Sequence, residues 1–248
     1  MNATVPHTGV RPVVLREPSP AGFLLLAATV DRRPPFLPNS RRKRALLAGI
    51  AEDVRRLTES DQTTEVNLFD AVLVAPGMGH RLLRRRSGSV QPAHFDVVLL
   101  IQTADPASAL SLRSDPVYRC VRDRLEQSSS RIYEVAARNS ARIADVDHAR
   151  DSVFLFNFFY ADDTARLMSV WEYSAGWFVQ KTHLPDSTVL EPLAGEPVEY
   201  GIVNHASWPG FRTFLPHLLL RPSFRRFVLA NFEANNVAAQ PILYRRQL

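Results

Sequence analysis

The sequence predicts an α+β chain that folds one βαββαβ unit twice and closes the two units on each other. Three observations carry this. Phe23-Leu-Leu-Leu-Ala-Ala-Thr-Val-Asp31 and Phe154-Leu-Phe-Asn-Phe-Phe-Tyr-Ala-Asp162 are both apolar runs that end in Asp and lead into a helical pattern. Phe95-Asp-Val-Val-Leu-Leu and Tyr200-Gly-Ile-Val-Asn-His are both short strands followed by an X-Pro pair, Asp105-Pro106 or Trp208-Pro209. A proline with a nearby aromatic then recurs in each half, as Asp115-Pro116-Val-Tyr118 and Arg221-Pro222-Ser-Phe224. Self-similarity of this kind constrains architecture more firmly than any single residue constrains chemistry.

Taken in order, residues 1–20 carry four prolines and no periodicity, and read as an extended arm. Residues 21–30 are short and continuously apolar, as a strand buried on both faces is. Asn39 or Ser40 caps a helix in which Leu46, Ile50, Val54 and Leu57 recur at helical spacing. Val66–Ala75 and Phe95–Thr103 read as strands, separated by a basic connection in which Arg84-Arg-Arg86 is expected in a hairpin loop. Asp105-Pro106 supplies an N-cap and a proline for the first helical position, and Ser128-Ser-Ser130 stops the helical stretch that follows. Ile132–Ile143 is a fourth strand and Ala144–Asp151 a polar linker. The order then restarts: strand Val153–Ala161, and a helix capped at Asp162/Asp163/Thr164 with Leu167, Trp171, Ala175 and Phe178 on one face. A hairpin of Thr188–Leu193 and Tyr200–Trp208 follows. Gly210–Phe232 is helical with interruptions expected at Pro216 and Pro222, and Val237–Arg245 is the closing strand. The boundaries are an arm at 1–20, a first repeat at 21–147 and a second at 152–248.

Each repeat has the ferredoxin-like, split βαβ order, whose antiparallel sheet carries helices on one face only. Two such units in one chain cover each other's bare faces, giving a single-chain α+β barrel expected to trap a pocket between the two sheets. The pattern resembles the dimeric α+β barrel superfamily in fused form, over about residues 21–245. That resemblance implies a small organic substrate held between sheet and helices. It also implies activities such as those of cofactor-independent antibiotic-biosynthesis monooxygenases, polyketide cyclases, muconolactone isomerase-like enzymes, or haem proteins like chlorite dismutases and dye-decolorising peroxidases. Fold does not choose among them.

Composition removes other classes. Hydrophobic residues make up 46% and charged residues 22% of 248 residues, as in soluble globular chains. No apolar run reaches the ~18 residues of a membrane span, and Met1–Pro18 has no secretory core, so a cytoplasmic location is expected. Cys120 is the single cysteine, which excludes an internal disulfide and a Cys-rich zinc site; it is expected to pack as a small hydrophobe on a helix. The net charge is +5, yet all but two of the 30 basic residues are arginines, the exceptions being Lys43 and Lys181, and the arginines are mostly dispersed. Nucleic-acid binding is therefore disfavoured. Arg41-Arg-Lys-Arg44 and Arg84-Arg-Arg86 are the two clusters, read as solvated surface or as docking points for an acidic carrier protein or coenzyme-linked substrate. His-Glu-x-x-His, Gly-x-Gly-x-x-Gly, Gly-x-x-x-x-Gly-Lys and Gly-x-Ser-x-Gly are all absent.

The informative residues are polar ones inside apolar strands, because a buried polar group costs ~1–3 kcal/mol unless it is hydrogen-bonded or faces a cavity. Asn157 interrupts Leu155-Phe156 and Phe158-Phe159, and Asn204 and His205 interrupt Gly201–Ala206. Strand alternation sends one of Asn204 and His205 to the interior and the other to the helix layer. His205 is expected to be the acid or base, with Asn157 and Asn204 orienting substrate or stabilising an enolate oxygen. Tyr160, Trp171, Trp177, Trp208 and Gln102 are expected wall or strand-borne binding residues, the tryptophans doubling as plain core. Asp70 reads as an outward-facing edge carboxylate, and His94 and His148 as solvated. The expected function is cofactor-free oxygenation, cyclisation or isomerisation of a hydrophobic aromatic or polyketide-like substrate. The alternatives are a haem enzyme ligated through His217, His183 or His205, and a non-catalytic ligand- or nucleic-acid-binding protein. His183 has a second reading as a helix-end cap. Association into a homo-oligomer stays open.

Overall fold

The computed structural model describes residues 10–31, 33, 34 and 37–248. Eight antiparallel strands close into one barrel, in the order β1 (Gly22–Thr29), β3 (Val97–Thr103), β2 (Glu65–Val74), β8 (Ala238–Arg246), β5 (Val153–Tyr160), β7 (Ile202–Trp208), β6 (Asp186–Pro192) and β4 (Arg131–Ala144). Read by halves, β4-β1-β3-β2 and β8-β5-β7-β6 are the same order, so each half is one ferredoxin-like sheet. The two seams, β2 with β8 and β4 with β6, join equivalent edges and leave no strand unpaired.

Eight strands leave an interior that side chains alone can fill, and here they do. Phe69, Phe95, Phe154, Phe156, Phe158, Tyr133, Tyr200 and Tyr244 are all buried in one inner cluster. Phe69 meets Phe156 edge-on at 5.2 Å, Phe95 meets Phe158 at 5.1 Å and Tyr133 meets Tyr200 at 5.1 Å. The expectation of a pocket between the two sheets is thereby corrected: large aromatic residues on facing strands interlock where smaller ones would have left space.

Helices cover the outside. α1 (Arg41–Thr58) starts at Ser40, whose hydroxyl accepts from Lys43 N at 3.1 Å, and buries Leu46, Ile50, Val54 and Leu57. α3 (Pro106–Ser111) and α4 (Pro116–Ser128) open on Asp105 and Asp115, each capping its helix ahead of a proline at the first position. α1 and α4 pack on the outward residues of the first sheet, such as Leu24, Leu26 and Leu99. Over the second sheet lie α5 (Thr164–Thr182), α6 (Phe211–Leu220), a π-helical stretch at Phe224–Leu229 and α7 (Ala230–Ala234). α5 ends in left-handed His183, the cap expected of it. α6 runs through Pro216 rather than breaking there. Among the described residues no helix is long and apolar enough to cross a membrane.

Three surface expectations are corrected. Arg84-Arg-Arg86 lies not in a hairpin loop but at the end of a short helix, α2 (His80–Arg85), and just past it, because Leu82 and Leu83 bury against the barrel. Within the cluster at 41–44, Lys43 is buried, only 2% exposed, with Nζ 2.5 Å from Asp70 Oδ1 and 2.9 Å from Asp96 Oδ2. Asp70 is therefore no edge carboxylate: barrel closure places β2 between β3 and β8, and the residue next to inward Phe69 faces α1. Cys120 is half-buried on α4, its Sγ 3.7 Å from Asp53 Oδ2.

The arm ties the halves together. Arg16 N donates to Arg142 O at 2.9 Å, Ser19 N to Asn139 Oδ1 at 2.7 Å, and Gln180 Nε2 to Arg11 O at 3.0 Å. It crosses α5 at Gly176, where an added Cβ would sit 2.1 Å from the Arg11 carbonyl oxygen. Gly176→Ala is expected to lift the arm, costing ~1–3 kcal/mol as overpacking does and freeing the backbone at Arg16 from its bond to Arg142 O. Trypsin should then cut there faster than in the parent chain, and equal cutting rates would show that the arm holds independently of this contact.

Candidate functional site

The cavity lies behind the second sheet, not within the barrel. Alternation along β5 turns Phe154, Phe156 and Phe158 inward, which leaves Leu155, Asn157 and Phe159 facing the helices. Asn157 pairs in register with Asn204 on β7, so the two amides stand side by side on the helix-facing surface. They form the polar floor of a cavity of about 40 Å³. Trp171, Ala175 and Phe178 of α5, Trp208 of β7 and Phe232 of α7 supply its apolar walls. Ser187 on β6 donates to Asn204 Oδ1 at 2.6 Å, fixing that amide with its NH₂ end free of the bond. Trp208 is held by its indole N–H, which donates to Thr182 Oγ1 at 3.0 Å. Ser174 also lines the cavity, but its hydroxyl already donates to Val170 O at 2.8 Å. Asn157 Oδ1 is buried with no hydrogen-bond partner among the described residues. An orphaned acceptor of this kind costs ~1–3 kcal/mol, and a ligand hydroxyl or N–H would recover it.

His205 takes the opposite face. Its ring stacks on Phe156 at 4.1 Å, and Nδ1 lies 3.0 Å from the Leu155 carbonyl, which can only accept. Nδ1 is therefore the donor and Nε2 an acceptor. His148 Nε2 lies 2.8 Å from that Nε2 and must donate to it, while His148 Nδ1 lies 2.9 Å from Glu65 Oε1. One proton is thus shared across the His148–Glu65 contact. Burial, and next the charge of His148, lower the His205 pKa well below that of a free histidine, the Leu155 carbonyl only partly opposing them. Burial alone would raise Glu65, but the hydrogen bond and charge of His148, with Asn67 and Arg246, outweigh it and the carboxyl is lowered. His148 is thus buried rather than solvated: the polar linker between the halves folds back over the end of the barrel. His94 is exposed, as expected.

The remaining expected residues disperse. Trp177 is fully buried and donates to Ser223 Oγ at 3.0 Å, away from the cavity. Tyr160 sits at the barrel rim, its hydroxyl 3.0 Å from Asp162 Oδ1, and Gln102 ends β3 opposite Glu65. His183 is exposed, and half-buried His217 accepts from Arg221 Nε at 2.7 Å. Neither lines the cavity. Ser187, Phe178 and Phe232 are site residues that the sequence reading did not single out. Ser187 was legible as a polar residue just ahead of the strand expected from Thr188, and Phe178 as a member of the helix face of Trp171 and Ala175; nothing local marks Phe232.

Haem does not match these residues. Among the described residues no histidine, cysteine, methionine, tyrosine or lysine lines the cavity, so none of its lining side chains could take an axial position on iron. Among the described residues no group of three or more His, Cys, Asp or Glu is placed to hold a metal ion.

No protein-family model matches the sequence, and no curated protein matches it significantly. Solved structures match in fold. An anthrone oxidase-like protein is 10% identical with a TM-score of 0.63, covering 96% of this chain and 95% of its own. A candidate monooxygenase from Lactobacillus acidophilus is 6% identical with a TM-score of 0.53, covering 93% and 95%. A chlorite dismutase from Candidatus Nitrospira defluvii is 10% identical with a TM-score of 0.49, covering 91% of each. The class these comparisons and the geometry define is a single-chain α+β barrel of two ferredoxin-like repeats, the fold of the anthrone oxidase-like protein and of the Lactobacillus protein.

Proposed function

We propose that the chain is a small-molecule enzyme of the oxygenase type, acting without haem on a hydrophobic aromatic or polyketide-like substrate behind the second sheet. The observation that carries this is the unpartnered Asn157 Oδ1, set beside the Asn204 amide at the floor of an otherwise apolar, tryptophan-walled cavity. Asn157 Oδ1 would accept a substrate hydroxyl and Asn204 Nδ2 would donate to an oxygen that gains charge as the substrate becomes an enolate or phenolate. Cyclisation and isomerisation pass through the same kind of anion, so the polar pair serves either chemistry. None of the lining side chains titrates near neutral pH, which leaves reactivity to the substrate and orientation to the walls. In this reading His205 supports the barrel from the other face of the sheet and does not touch substrate.

A ring-sized ligand needs more than 40 Å³, and Phe232 is the wall to displace, because beyond it lies an open groove of about 950 Å³. The test is oxygen uptake with anthrone and related tricyclic phenols, comparing the parent with Asn157→Leu and Asn204→Leu. Loss of one oxyanion-type partner is expected to lower kcat by ~10²–10³ with an unchanged circular dichroism spectrum. Parent protein that neither binds nor turns over any polycyclic phenol would overturn the reading.

A further inference from the structure

The groove beyond Phe232 has a charge that the proposed reaction has not used. Arg81, Arg84 and Arg85 stand at i, i+3 and i+4 spacing on α2, all exposed and all lining it with His80. Neighbouring Arg86 is bound by Asp162, Nε to Oδ1 at 2.9 Å, yet none of the other three makes an ion pair among the described residues. Like charges at this spacing repel each other, and among the described residues the one carboxylate lining the groove is Glu233. Met78, Leu82 and Val237 add an apolar floor that leads to Phe232, the wall common to groove and cavity.

We infer that the substrate is an anionic amphiphile: a small molecule whose hydroxylated ring system occupies the cavity while a carboxylate or phosphate is held by Arg81, Arg84 and Arg85. This rests on the cavity reading and adds the substrate's charge to it. Exposed ion pairs contribute ~0.2–1 kcal/mol each, so three arginines together give about three- to 150-fold in affinity.

The experiment compares 2-naphthol with 6-hydroxy-2-naphthoate by quenching of tryptophan fluorescence, in the parent chain, in the triple variant R81A/R84A/R85A and in N157L. The carboxylate is expected to bind the parent at least about threefold more tightly than the naphthol. The triple variant should erase that advantage while leaving naphthol affinity unchanged, and N157L should weaken both ligands. Naphthol binding with no carboxylate advantage overturns this inference and leaves the cavity reading standing, whereas failure of both ligands overturns the cavity reading itself. Carboxylate binding that depends on the arginines but not on Asn157 overturns the joined site. So does capture of short duplex DNA by the parent and not the triple variant without a carboxylate advantage. The phosphate analogue of the naphthoate separates the two anions.

Discussion

Lys43→Met is expected to lower the unfolding free energy by ~3–5 kcal/mol at pH 7, the range found when one partner of a buried ion pair is removed. Lys43 Nζ reaches Asp70 Oδ1, Asp96 Oδ2 and the Asp96 carbonyl oxygen, the last at 3.1 Å, and no solvent can replace it at 2% exposure. Asp96 also accepts from Val30 N at 2.6 Å and Asp31 N at 3.0 Å, while Asn39 donates to Asp70, so the carboxylates are fixed on several sides. Without the lysine, two carboxylates face each other with no cation between them. The pH dependence has a definite sign. Burial raises the Asp96 pKa, opposed by the charge and hydrogen bond of Lys43 and by the two backbone donors. A raised carboxyl contributes stability that is present below its unfolded value of 3.8 and lost as pH rises through the folded value. Removing Lys43 moves that folded value higher, so the variant's deficit should shrink on going from pH 7 to pH 5. Urea unfolding at both pH values checks this, and Asp70→Asn with Asp96→Asn in the Lys43→Met background should recover part of the loss. A deficit below ~1 kcal/mol, or one that does not change with pH, would mean that water reaches the site.

The second large effect concerns His205. Its lowered pKa means that the unfolded chain takes up a proton below about pH 6.5 that the native chain refuses. Its contribution is therefore complete above pH 6.5 and is lost as pH falls toward the folded value, at up to ~1.4 kcal/mol per pH unit. The raised carboxyls of Asp96 and Asp186, both pushed up chiefly by burial, work in the opposite direction. His205→Leu leaves the His148 Nε2–H without its acceptor, which costs ~1–3 kcal/mol at pH 7, yet it should flatten the decline between pH 7 and pH 5. Urea midpoints across that interval measure both terms. Parallel declines in parent and variant would assign acid sensitivity to other groups.

The candidate site was half legible. Asn157 and Asn204 were visible because an amide in an apolar strand demands either a partner or a cavity, and the structure places both on the cavity floor. Trp171 and Trp208 were visible as helix and strand aromatics and line the same space. Alternation required Asn204 and His205 to face opposite ways but not which way each faced. That was settled by register: Asn204 lies opposite Asn157, whose neighbours Phe156 and Phe158 fill the barrel, so the amides turn outward and the imidazole inward. Lys43 and His148 were read as solvated because nothing in the local chain shows Asp70, Asp96 or Glu65 approaching from more than twenty residues away. Phe232 was not legible at all, since a phenylalanine in a short helix looks alike whether it seals a core or a cavity.

By itself the sequence determined the doubled βαββαβ order, the helix caps and the interrupted strands, because these follow from spacing and from the chemistry of neighbouring residues. Only the tertiary structure decided that the barrel interior is solid, that the cavity lies behind the second sheet, and that Lys43 and His205 are core residues. Those outcomes depend on which side chains meet across strands and layers far apart in the chain, where aromatic volume and the pairing of buried charge select one arrangement.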